Sequence, residues 1–416
     1  MIQRELTFEK TNNMLSIRYR PLAVVIGALF TFPLSTPAFA QAEEGMRLYG
    51  GIGWAYDDNL LRVPENERPF GNKRGDSYRT LEGGIVYNKR ISRQRVAVSA
   101  KASKVKFDYF KQLDYDGRDV QGVWNWELGR LFEGRAEASY ARTLAPYTDF
   151  RSDERNLRQQ QHRLIDAGIK MHPSWKLRFG VARDEFTYEL LAQRFNNRTE
   201  KAAEVELMYT PKSGSSVGLV ARRLEGDYPF RRPGRLDNTL ADDFTQDELK
   251  ARVNWIATGS TTLQALVGYV RREQPSFGEG KTSGVNGRVN LLYTPKGKVA
   301  YTASVWREFA PIESTAISYT LNKGAKIAAN WYATGKVRVD AEAVYEQREY
   351  NARRAFIGSD DLNDSIRAAN LRATWQATRK IQVITGYSHQ QRSGAPALGT
   401  SKFDANVVQV SANVLF

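Results

Sequence analysis

The chain has 416 residues, 41% hydrophobic and 26% charged, with no cysteine, three histidines and a formal net charge of +15. The lack of cysteine excludes a disulfide scaffold, a thiolate metal site, a cysteine nucleophile and a lipid anchor on an N-terminal cysteine. A negative mean hydropathy excludes a helical membrane protein, and 11% aromatic residues argue against disorder.

Residues 21–34, PLAVVIGALFTFPL, form one apolar run of fourteen residues behind Arg18 and Arg20. A helix needs about 20 residues to cross a bilayer. The run leads instead into Ala38-Phe39-Ala40, a small-x-small signal-peptidase site. The expectation is a signal peptide over 1–40, with Met14 as an alternative start, and export of residues 41–416 as one domain. Residues 1–40 hold four basic and two acidic side chains, so the exported chain carries +13.

From a first strand at Met46 onward, the chain alternates with period two and shows no sustained helical stripe. In 248–255, Leu249, Ala251, Val253 and Trp255 oppose Glu248, Lys250, Arg252 and Asn254. In 285–294, Val285, Val289, Leu291 and Tyr293 oppose Asn286, Arg288, Asn290 and Thr294. In 337–346, Val337, Val339, Ala341, Ala343 and Tyr345 oppose Arg338, Asp340, Glu342 and Glu346. A soluble sandwich alternates too, so the solvent must be decided by other features.

One feature is a repeat. Tyr209-Thr-Pro-Lys, Trp255-Ile-Ala-Thr, Tyr293-Thr-Pro-Lys, Trp331-Tyr-Ala-Thr and Trp375-Gln-Ala-Thr each end a strand at a tight turn, with their aromatics 46, 38, 38 and 44 residues apart. Two long strands per period make this a hairpin repeat rather than a propeller blade, and each aromatic sits on the apolar face, as in a membrane-interface girdle. A second feature is asymmetry. Short turns fall near 90–95, 129–134, 172–175, 211–215, 258–261, 295–298, 334–336 and 378–380. Longer charged loops fall near 60–77, 110–118, 145–159, 190–200, 226–243, 273–282, 309–318, 350–365 and 390–402. These connections predict an all-β, transmembrane, antiparallel up-and-down β-barrel of about 18 strands, or 16 if one loop is split wrongly. A third feature is the end of the sequence, VVQVSANVLF, where Val408, Val410, Ala412, Val414 and Phe416 share one face. Its closing aromatic resembles the signal that outer-membrane barrels present to their assembly machinery, which makes Phe416 the candidate.

Sixteen or more strands enclose a lumen too wide for side chains to fill. Parity places Lys101, Lys170, Lys176, Arg178, Arg222, Lys250, Arg252, Arg288, Lys326, Arg338 and Arg372 inward, with Glu82, Glu127, Glu137, Asp166, Glu204, Glu206, Glu248, Asp340 and Glu342. Such a mixed lining permits two readings: cross-strand pairs that brace the wall, or charges that touch a passing solute. Further arginines crowd positions read as near the loops: Arg151, Arg155, Arg158, Arg222, Arg223, Arg231, Arg232, Arg235, Arg271, Arg272, Arg353 and Arg354. Their guanidiniums suit lipopolysaccharide phosphates or an anionic polymer. The expected inward-folding loops are 226–243 or 350–365. Ser388 and His389 are adjacent in a strand and so face opposite sides, which does not suit a catalytic dyad, and no phosphate loop or metal spacing occurs. The expectation is therefore no enzyme, no cofactor and no nucleic-acid partner.

Tyr56-Asp57-Asp58-Asn59-Leu60-Leu61-Arg62-Val63-Pro64 resembles the segment after the first strand of EpsL-type outer-membrane proteins, which accompany exosortase-associated exopolysaccharide clusters. Within it, Asp57, Asp58, Asn59 and Arg62 are the family-like positions. The resemblance continues through Ser92–Arg95, Leu113–Gly117, Arg142–Leu144, Asp149–Arg151, Asn156–Arg158 and His172–Trp175, covering roughly 46–180; Leu61 stands where an aromatic is usual. It implies a Gram-negative outer-membrane pore in exopolysaccharide biosynthesis or export, partnered by outer-membrane lipid, lipopolysaccharide, the barrel-assembly machinery, the polysaccharide and periplasmic export components. On that reading Lys101, Arg178, Arg222, Lys250, Arg252, Arg288, Arg338 and Arg372 are the polysaccharide-contact candidates. The alternative is a general or sugar-selective diffusion porin for uptake.

Overall fold

The computed structural model describes residues 44–68, 71–230, 243–274, 281–311, 317–352, 363–396 and 400–416. The expected signal peptide lies outside them. The described residues form β1 (Gly45–Asp57), β2 (Asp76–Ile91), β3 (Gln94–Phe107), β4 (Tyr115–Leu128), β5 (Phe132–Leu144), β6 (Leu157–His172), β7 (Trp175–Tyr188), β8 (Arg198–Tyr209) and β9 (Ser216–Asp227). The second half adds β10 (Phe244–Ile256), β11 (Thr261–Glu273), β12 (Lys281–Tyr293), β13 (Val299–Ala310), β14 (Ile317–Trp331), β15 (Val337–Ala352), β16 (Asn363–Gln376), β17 (Ile381–Arg392) and β18 (Phe403–Leu415).

Each strand pairs antiparallel with its sequence neighbours. The ring closes at β1, where Tyr49 lies opposite Gly84 of β2 on one side and Leu415 of β18 on the other. Closure gives every strand two partners, as lipid demands, because lipid cannot hydrogen-bond a free edge. The fold is thus an 18-stranded antiparallel up-and-down barrel, as the connections predict.

Period-two alternation dictates which side chains face out. Ile52, Leu81 and Ile327 are 64%, 62% and 65% exposed, whereas Glu82, Glu206 and Glu346 on the opposite face are buried. A sandwich would bury the apolar set, so these exposures exclude it. Trp124, Trp175, Tyr209, Trp255, Tyr293, Trp331 and Trp375 stand exposed at the short-turn end, and Trp175 packs on Tyr209 across β7–β8 with ring centroids 5.0 Å apart. This is an outer-membrane-type belt. On the inner face the Trp306 indole lies over Gly324 of the next strand, where a Cβ would collide with it.

The long-loop end holds the main apolar core. Leu60, Leu61 and Val63 from the β1–β2 loop, Phe110 and Leu113 from the β3–β4 loop, and Tyr147 from the β5–β6 loop pack on Val105 and Phe107 of β3. A short 3-10 turn, Lys111–Leu113, shapes the second of these loops.

Candidate functional site: the lumen and its mouth

The inner wall is polar because the strands turn many of their charged side chains inward, and those charges meet mostly across strands. Arg178 on β7 reaches Glu206 at 2.7 Å and Glu204 at 3.1 Å on β8, and Arg252 on β10 reaches the same Glu206 at 3.0 Å. Gly218 lies between them on β9, with no side chain in the way. Lys250 and Arg222 share Glu248 at 2.9 and 3.8 Å. Lys101 faces Glu82 at 3.8 Å, Arg288 meets Glu308 at 3.0 Å, and Arg338 meets Asp340 at 3.1 Å. Arg372 is the cross-strand partner of Asp340. Lys170 and Lys176 converge on Glu133, and Lys326 pairs with Glu342 at 3.2 Å. All eight contact candidates thus sit on the lumen wall with a carboxylate beside them; the pairs that cross strands brace the wall, while Lys250–Glu248 and Arg338–Asp340 lie within one strand.

The mouth is built by loops whose inward course was not expected. After β1, Asp57 and Arg62 form an ion pair at 2.8 Å, although Arg62 sits in the left-handed region at φ 55°. The Asn59 amide donates to the carbonyls of Val63 and Asp404, both at 2.8 Å. Arg62 Nε donates to Gln390 Oε1 on β17 at 3.3 Å. Asp58 accepts from the backbone N–H and the side-chain amide of Asn406, both at 2.7 Å. The four family-like residues Asp57, Asp58, Asn59 and Arg62 therefore tie the first loop over the last strands. Asp76 fixes the second loop by accepting the Tyr109 and Phe110 N–H groups at 3.0 and 2.8 Å.

The third loop, 145–156, crosses the lumen. It leaves β5 but ends on β15 and β17, and β17 lies six strands away around the ring by way of β1 and β18. Asp149 accepts from Arg348 at 3.1 Å and Arg392 at 3.0 Å, and Arg392 also donates to the Thr148 carbonyl. Both guanidiniums are buried and shared onward: Arg348 with Glu346 at 3.1 Å, Arg392 with Asp364 and with the Tyr350 hydroxyl at 2.9 Å. Glu346 also accepts from the Trp306 indole at 3.0 Å and the Asn322 amide at 3.2 Å. Burial alone would raise the Asp149 carboxyl. The two guanidiniums outweigh it and hold that carboxyl below the ordinary aspartate range.

The first three long loops pack at the mouth, while most of 226–243 and 350–365 lies outside the described residues and leaves that expectation untested. Arg222 and Arg223 lie in the loop-side half of β9, and Arg271 and Arg272 at the loop end of β11. Arg222 and Arg272 face inward, while Arg223 and Arg271 face out. Arg231, Arg232, Arg235, Arg353 and Arg354 fall outside the described residues. The Asp149, Arg348 and Arg392 cluster was missed, although parity with Glu346 and with Ser388 marks both arginines as inward.

Among the described residues no group of three His, Cys, Asp or Glu could hold a metal ion. Ser388 is buried on the inner face; His389 is only partly buried and bonds Asn406 at 2.9 Å. His162 contacts Asp184 at 2.8 Å across β6–β7.

No protein-family model and no curated protein matches the chain, so the resemblance over 46–180 rests on its motifs. Among solved structures, the chain is similar to Pseudomonas aeruginosa OccK2 (OpdF) in complex with glucuronate, at 13% identity and a TM-score of 0.48 over 89% of this chain and 98% of that one. It is similar to Acinetobacter baumannii OccAB3 at 11% identity and 0.47 over 89% and 99%. A BenF-like porin from Pseudomonas fluorescens Pf-5 gives 9% and 0.48 over 89% and 99%. Likeness at this level leaves function to be argued from the chain's own geometry.

Proposed function

We propose that the barrel is an outer-membrane channel through which small hydrophilic solutes diffuse, narrowed at its long-loop mouth. The observation that carries this reading is the third loop, held across the lumen by Asp149 against Arg348 and Arg392. A wall of ion-paired charges solvates polar solutes without holding them tightly, which a conducting path requires. A bound strap across the bore suits small solutes better than a polymer of many sugar units.

The test is reconstitution of the full chain in a planar bilayer, with loop 145–156 intact and then replaced by a Gly/Ser linker. Steady conductance in the first case and a larger one in the second support the channel. A barrel silent in both forms overturns it.

A second reading, polysaccharide export, is favoured by one observation. The motifs that resemble EpsL-type proteins are scattered over about 120 residues, yet most meet at the mouth: Asp57–Arg62, Leu113, Leu144, Asp149 and Leu157. Gene deletion separates the readings. Loss of surface polysaccharide with normal solute uptake favours export, and the reverse favours diffusion.

A further inference from the structure

The outer wall of β6–β10 carries an arrangement that the lumen does not explain. Along β6 the outward side chains are apolar from Met171 up to Ile165 and then turn basic at Arg163; along β7 they run from Trp175 to Val181 and turn basic at Arg183. On β8 the same change falls at Lys201, above Ala203, Val205 and Leu207. Arg163 lies directly opposite Arg183, and Arg183 directly opposite Lys201. Three cations thus stand in one row over three strands, all exposed, at the upper edge of the apolar band. Like charges placed opposite each other destabilise a sheet unless something neutral or negative lies over them.

The nearest acids fill that role only in part. Glu185 pairs with Arg183 from one side at 2.6 Å, and Arg163 donates to the Gln161 amide oxygen at 2.8 Å. Glu225, opposite Lys201, is engaged by Arg223 at 3.1 Å, which also faces Asp247 at 3.6 Å. Immediately below the row a shallow groove of about 620 Å³ opens on the wall, lined by Ala203, Ala221, Ile165, Phe179, Val181 and Val205, with the paired Arg223 and Asp247 at its β9–β10 side. Small side chains there leave a channel between bulky neighbours in the plane of the acyl chains.

We propose that the Arg163–Arg183–Lys201 row and the groove beneath it form a binding site for a phosphorylated glycolipid of the outer leaflet, lipid A, with its phosphate on the cations and an acyl chain in the groove. The fit rests on charge complementarity above and on the mainly apolar β6–β8 side of the groove below. Planar guanidiniums take a phosphate bidentately, and a row across three strands matches a headgroup wider than that of a glycerophospholipid. This site faces lipid and is independent of the channel reading.

The full-length barrel, purified in detergent, is mixed with lipid A, phosphatidylglycerol or phosphatidylethanolamine and examined by native mass spectrometry. Wild type is expected to retain lipid A over both competitors. Arg163→Gln, Arg183→Gln and Lys201→Gln are expected to reduce retention by about fivefold each. Ala203→Leu with Ala221→Leu, which fills the groove and leaves the charges, is expected to reduce it as well. Equal retention of lipid A by the triple glutamine variant, or of phosphatidylglycerol by wild type, overturns the site. Heat-modifiable gel mobility checks folding; should the triple variant not fold, Lys201→Gln alone carries the same two outcomes.

Discussion

Asp149 is the residue on which the mouth turns. Its carboxyl is depressed when the loop is docked, so the latch is at full strength above the ordinary aspartate value of 3.8 and weakens as pH falls through the depressed one. Channel conductance should therefore stay flat between neutral pH and about 5 and rise only below about 3.8. Asp149→Asn should give several-fold higher conductance at neutral pH and abolish that acid rise; an unchanged single-channel level would detach the latch from the path. On the wall, Arg178→Gln removes one of the two guanidiniums on Glu206, whose side chain is only 2% exposed. Stripping a buried pair of a partner costs about 3 kcal/mol, to be read as a lower urea midpoint in detergent. Parity made such wall residues legible: Arg178, Arg252 and Glu206 follow from counting every second position. Asp149 did not, because its partners lie 199 and 243 residues away and only the closed ring brings them near.

At the scale of elements, strands were readable and loops were not. A strand is fixed by its own alternation and by an aromatic at its short-turn end, as Tyr293 and Trp331 show. The loop after β3 was expected to run to residue 118, but β4 already begins at Tyr115. Its Asp114 carboxylate accepts the Phe107 N–H at 2.8 Å and shortens the turn. Where the loops go depends on Leu60, Leu61, Leu113 and Tyr147 finding one another, and no local pattern records that. The Trp306–Gly324 contact belongs to this scale too. Gly324→Val should push the indole off its neighbour, break its bond to Glu346 and loosen β13–β15; near-ultraviolet circular dichroism should lose tryptophan intensity while far-ultraviolet strand signal persists. Retained near-ultraviolet intensity would show that the indole has another support.

For the whole molecule, the even strand count puts both ends of the barrel on the short-turn side, and the nine long connections on the other. Replacing loop 145–156 with a short Gly/Ser linker should let larger uncharged sugars through in liposome swelling, with the barrel itself intact by heat-modifiable mobility. If the size limit does not move, the narrowing lies elsewhere along the bore.

The seam between β1 and β18 is the joint that no hairpin turn reinforces, since its strands lie at opposite ends of the sequence. Asp58 and Asn59 grip Asn406 and Asp404 just past its last paired residue, Asp57. The stretch that carries the family resemblance thus works as a clasp. It fastens the one side of the cylinder that would otherwise peel, and can do so only once the final strand has arrived.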